Sequence, residues 1–137
     1  MANSTSTQIL LDGPRNVVVK FEGVLDTSDL ASVTVLDPAT LCGIDNTGTL
    51  KALKLRIMDV QFNVEDKLSV NLFWDASSPV RIEEFTGRGH AKYEFMGGLN
   101  NNAGAGVTGK ITATTEGAGI GQILSFSIVM KCVKTKT

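Results

Sequence analysis

Apolar and polar residues alternate with a period of two along most of this chain. The last segment is the clearest. Leu124, Phe126, Ile128, Met130 and Cys132 share one face, while Ser125, Ser127 and Lys131 share the other. Period two marks a half-buried β-strand, so these five residues are expected to face the core from a central strand. Between Asn16 and Leu25, Val17, Val19 and Phe21 oppose Val18, Lys20 and Glu22, with Gly23 read as a bulge. Leu68, Val70, Leu72 and Trp74 form another alternating set.

The longest run, Leu50 to Val64, changes phase. Leu53, Leu55 and Ile57 are its first apolar set; after Met58-Asp59 the set becomes Val60, Phe62 and Val64. A strand cannot change phase without an extra residue, so a bulge is expected there. Shorter strands are predicted at Gln8 to Leu11, Val33 to Leu36, Val80 to Phe85, Ala91 to Met96 and Lys110 to Thr115. Turn signals separate them: Asp12-Gly13-Pro14, Asp37-Pro38, Glu65-Asp66-Lys67, Asp75-Ala76-Ser77-Ser78-Pro79, Gly87-Arg88-Gly89 and the hairpin turn Gly117 to Gly121. The 13-residue segment 97–109 holds five glycines and Asn100-Asn101-Asn102, and reads as a loop.

No stretch combines helical spacing with a capping signal. Ile, Val and Thr make up 35 of 137 residues, a composition suited to pleated surfaces. The expected fold is all-β: an antiparallel β-sandwich or barrel-like, jelly-roll-like fold of about eight strands. Residues 9–137 are read as one β domain, preceded by an extended, uncharged arm at 1–8.

Charge and composition narrow the function. Thirteen basic residues against 14 acidic ones give a net charge of −1, without the basic excess of a dedicated nucleic-acid binder. No apolar run reaches the roughly 18 residues of a membrane helix. The N-terminus has neither the basic nor the apolar region of a signal peptide, so synthesis in the cytoplasm is expected. With that, Asn3-Ser4-Thr5 is read as a chance match to a glycosylation acceptor.

Catalytic equipment is sparse. His90 is the sole histidine, and Cys42 and Cys132 are the only cysteines, read as two buried, reduced thiols. Gly117-Ala118-Gly119-Ile120-Gly121 lacks phosphate-loop spacing and precedes a strand. Among the carboxylates, Asp59, Glu65, Asp66, Asp75, Glu83 and Glu84, no pair stands out as an acid–base couple in an apolar setting, and adjacent Glu83 and Glu84 point to opposite faces. No catalytic residue, cofactor or metal ligand is assigned, and the chain is read as a non-enzyme.

Features of an assembly subunit are present instead. The arm is uncharged, the 97–109 loop has little side-chain bulk, and Val17-Val18-Val19 and Ser127 to Met130 are apolar on both faces. Phe73 and Trp74 face opposite sides of one strand. Trp74, Arg88, Asn100, Asn101 and Asn102 are the candidate interface residues.

The segments Asp12 to Lys20, Val70 to Ala76, Phe85 to Gly89 and Gly97 to Gly109 resemble small virion structural proteins of tailed bacteriophages. The resemblance runs from about Gln8 to the C-terminus and rests on strand-and-turn patterns. It implies a particle component and does not by itself fix the place in the particle; the expected location is the capsid surface, after synthesis in the host cytoplasm. Its leading form is a decoration, or cement, protein that reinforces the head shell. The partners implied are the major capsid protein and copies of the chain itself, as a homotrimer. A neck or tail subunit is the same-class alternative; the different-class alternatives are a carbohydrate- or receptor-binding β module and, behind it, a small hydrolase.

Overall fold

The structure, a computed structural model, describes residues 3–26, 28–41, 43, 54–118 and 123–135. Among the described residues, nine strands form two antiparallel sheets: β1 (Ser4–Asp12), β2 (Asn16–Leu25), β3 (Val33–Leu36), β4 (Lys54–Val64), β5 (Ser69–Trp74), β6 (Val80–Phe85), β7 (Arg88–Lys92), β8 (Ile111–Glu116) and β9 (Leu124–Thr135). The larger sheet has the order β1-β2-β9-β4-β7 and the smaller β3-β8-β5-β6. Two 3-10 turns, Pro38–Thr40 and Glu94–Met96, are the only helical elements among the described residues.

The pairings are nested. β2 runs against β9, β3 against β8, β4 against β7 and β5 against β6. Successive pairs alternate between the two sheets, as one long hairpin does when rolled around its own apolar face. This is jelly-roll topology, with β1 added beside β2 as a ninth strand.

β9 occupies the centre of the larger sheet because its apolar face is the most continuous. Leu124, Phe126, Ile128, Met130 and Cys132 are at most 7% exposed, as the alternation predicts. Opposite them in register stand Leu25, Gly23, Phe21, Val19 and Val17 of β2. The smaller sheet closes the core with Val70, Leu72, Trp74, Phe85, Ile111 and Ala113. Phe21 and Phe126 pack with ring centroids 5.3 Å apart, and Phe62 and Phe85 at 4.8 Å.

The predicted phase change in β4 is a bulge. Ile57 and Asp59 oppose the consecutive residues Cys132 and Lys131, so Met58 is the extra residue. Its carbonyl accepts from the Tyr93 amide at 2.9 Å.

Other local expectations change. Gly23 is not a bulge: its pairing with β1 and β9 stays in register. It is glycine because a Cβ there would meet the Phe126 ring at 2.9 Å and the Ser4 carbonyl oxygen at 3.0 Å. The proposed arm is largely strand. From Ser4 onward it pairs with β2, since a Ser/Thr run is competent for pleated structure and β2 offers an open edge. Asn3 is held too, donating to the Ser28 carbonyl and accepting from the Asp26 amide.

The predicted strand Ala91 to Met96 is displaced toward the N-terminus. β7 starts at Arg88, the break falls at Thr86-Gly87, and Glu94–Met96 form a 3-10 turn. Gly87 has φ 72°, which lets the chain leave β6 in one sheet and enter β7 in the other. β8 and β9 lie in different sheets, so they are not the paired strands of a hairpin; residues 119–121 of the predicted turn lie outside the described residues. Cys42 and the first residues of the predicted strand, 50–53, lie outside the described residues.

Candidate interaction surfaces

Trp74, an expected interface residue, is instead 2% exposed and belongs to the core. Val70, Leu72 and Trp74 face the opposing sheet together, so the outward member of the adjacent aromatic pair is Phe73, which is half-buried.

The asparagine loop folds onto its own chain. Leu99 and Ile57 exchange backbone hydrogen bonds at 2.8 and 3.1 Å. The Arg56 Nε donates to Asn100 Oδ1 at 2.7 Å. Asn101 Oδ1 accepts from the Ala103 amide at 3.0 Å, and its Nδ2 is buried without a partner. Asn102 is exposed. Farther along, Ser77 and Thr108 bond this loop to the β5–β6 connection through the Ala105 and Asp75 carbonyls.

Arg88 is exposed and lies at one end of a groove of about 590 Å³ on the outer face of the larger sheet. The groove exists because one polar rung crosses all five strands. Ser6 opposes Glu22, Glu22 opposes Ser127, Ser127 opposes Asn63, and Asn63 opposes Arg88. Ser4, Ser125, Glu65 and Asp66 extend it. The Ser6 and Ser125 hydroxyls donate to Glu22 and Glu65 at 3.5 Å. Three carboxylates and one guanidinium make this a hydrogen-bonding surface with an anionic excess. Phe126, the one aromatic among the described residues bordering it, is 3% exposed and offers no stacking face.

His90 pairs with Asp59 two rungs along the same outer face. Among the described residues, no cluster of three or more His, Cys, Asp or Glu is arranged to hold a metal ion. Burial pushes the Cys132 thiol up to about 12, so it is an inert core side chain at neutral pH. Tyr93 is also raised, first by burial and then by Glu83, whose carboxylate is hydrogen-bonded to it.

The sheet edges differ. β3 has four residues, a bulge and a following Pro38. β6 is bulged and displays Arg81, Glu83 and Glu84. β7 has five residues and displays Arg88, His90 and Lys92. Short length, bulges and charge are the usual protections of a strand edge. β1 is nine residues long, exposed from Ser4 to Leu11 and uncharged up to Asp12. Its one irregularity is a bulge at Leu10, between Ile9 and Leu11. The exposed Ser/Thr run is legible in the sequence, but its position at an edge is not.

No protein-family model and no curated protein matches the chain. Among solved structures, a cupin superfamily protein from Desulfitobacterium hafniense DCB-2 aligns over 98% of this chain and 81% of its own, at 9% identity and a TM-score of 0.37. That score has no bearing on fold or function.

Proposed function

We propose that this chain is a structural subunit of a tailed-phage virion, a decoration protein that docks on the head shell and reinforces it. The observation that carries the reading is β1, a long, uncharged and exposed edge strand on a sandwich whose other three edges are protected. Such an edge offers backbone donors and acceptors together with the apolar side chains of Ile9, Leu10 and Leu11. The resemblance of the Asp12 to Lys20 and Gly97 to Gly109 segments to phage virion proteins supplies the setting. The partners are the major capsid protein and further copies of the chain, grouped as homotrimers at three-fold junctions. Reinforcement comes from contact area repeated by symmetry, and each contact can be weak because linked contacts act at high effective concentration.

The test removes the protein from the particle and follows shell survival under heat and osmotic shock. Loss of shell strength is the expected result. Intact shells that lose tails or fail to adsorb would replace this reading with a neck or tail subunit.

The polar groove favours one second reading, a carbohydrate- or receptor-binding module. Hydroxyl, amide, carboxylate and guanidinium groups in one rung suit a polyhydroxylated ligand. The absence of an exposed ring in the groove counts against it. Binding to a glycan array that is lost in Arg88→Ala would support it over the decoration role.

A further inference from the structure

The larger sheet carries an exposed apolar patch at each of its two edges. On β1, Ile9, Leu10 and Leu11 are 42%, 49% and 52% exposed; beyond β7, Phe95 and Met96 are 85% and 56% exposed. The register places both at the same level. Leu11 opposes Val18, Val18 opposes Lys131, Lys131 opposes Asp59, and Asp59 opposes Lys92. From Lys92 the chain runs into the turn that presents Phe95 and Met96. Four strand spacings, about 19 Å, separate the two edges, so the patches cannot cover one another within a copy.

We infer that copies of this chain associate head-to-tail, with Phe95 and Met96 of one copy covering Ile9, Leu10 and Leu11 of the next. The inference rests on the reading of the chain as an assembly subunit and specifies the contact between copies. One repeated contact then covers both patches in every copy, and rotation closes it into a ring.

Charge selects this pairing over the symmetric ones. Two β7 edges brought together would oppose two sets of Arg88 and Lys92, with like charges facing. The β7 side approaching β1 meets a strand that is uncharged from Ser4 to Leu11, so no like charges face one another. Two β1 edges brought together would meet at the bulge between Ile9 and Leu11, where backbone register is interrupted, and would leave Phe95 and Met96 in water. Five side chains fall well short of the roughly 20–30 residues per side of a standard interface. A single junction is therefore weak, and ring closure is what makes the assembly persist.

Sedimentation of the full-length protein, followed up to about 1 mM where a millimolar contact is half occupied, tests the contact. Self-association is expected, and it should be lost separately in Phe95→Asp and in the double variant Leu10→Lys, Leu11→Lys. Both sites are exposed, and thermal melting checks that each variant is folded. Mixing the two variants should restore one junction and give dimers that grow no further. A symmetric contact would give no such rescue. A wild-type chain that stays monomeric, variants that associate normally, or a mixture without dimers would each overturn the inference. Cosedimentation with head shells, measured in parallel, separates this result from the virion reading. A monomer that still binds shells overturns the head-to-tail contact alone.

Discussion

The ammonium of Lys134 donates to Asp12 Oδ1 at 2.6 Å and to the Gly13 carbonyl at 2.7 Å, and its side chain has no exposed surface. Lys134 lies near the end of β9, and Asp12 ends β1. The pair therefore ties the β1–β2 turn to the central strand, helped by the Lys134 amide donating to the Arg15 carbonyl at 2.8 Å. Removing the anion leaves the buried Lys134 ammonium uncompensated, whereas removing the cation leaves Asp12, whose side chain is 23% exposed and reaches water. Asp12→Ala should cost about 3 kcal/mol in urea denaturation. Lys134→Met should stay within about 1 kcal/mol of wild type. Equal losses would show that the pair is not desolvated.

Gly23→Ala should destabilise by about 1–3 kcal/mol through overpacking against Phe126. The same Cβ would press on the Ser4 carbonyl, so β1 should loosen first. Hydrogen exchange at the β1 amides, compared with those of β9, measures this. Uniform acceleration across both strands would contradict it.

Phe126→Ala should cost about 3–5 kcal/mol, the range for a buried phenylalanine. The ring is 3% exposed and packs on Phe21. A loss under about 1 kcal/mol in chemical denaturation would contradict its place in the core.

Trp74 is the sole tryptophan and is 2% exposed, so its fluorescence reports on this core directly. Emission should be blue-shifted and resist acrylamide until the chain unfolds. Free quenching in the native state would return Trp74 to the surface.

Cys132 makes stability depend on alkaline pH. Its folded value of about 12 exceeds the ordinary 9.0, so above pH 9 the unfolded chain releases the proton more readily. Stability should fall as pH rises from about 9 toward 12, by up to roughly 4 kcal/mol across that window. Tyr93, also raised, adds in the same direction above pH 10. In Cys132→Ala the decline should be shallower, as read from urea midpoints at pH 8 and pH 10.5.

Side-chain alternation is a local property, and what depended on it was readable from the chain alone. The inward face of β9, the alternation of β2 and the bulge at Met58 all follow from period two and its phase. The charged residues of β6 and β7 were equally visible, though nothing local marked those strands as edges. Pairing across the fold was not legible. β2 meets β9 more than a hundred residues away, and only that register lines up Ser6, Glu22, Ser127, Asn63 and Arg88 as one rung. Adjacent Phe73 and Trp74 had to face opposite sides, but which side lay inward depended on where the second sheet closed. Lys134 reads as a polar residue at a strand end. Its burial was decided by the β1–β2 turn folding back over it, since a charge can leave water only where the tertiary structure supplies an anion.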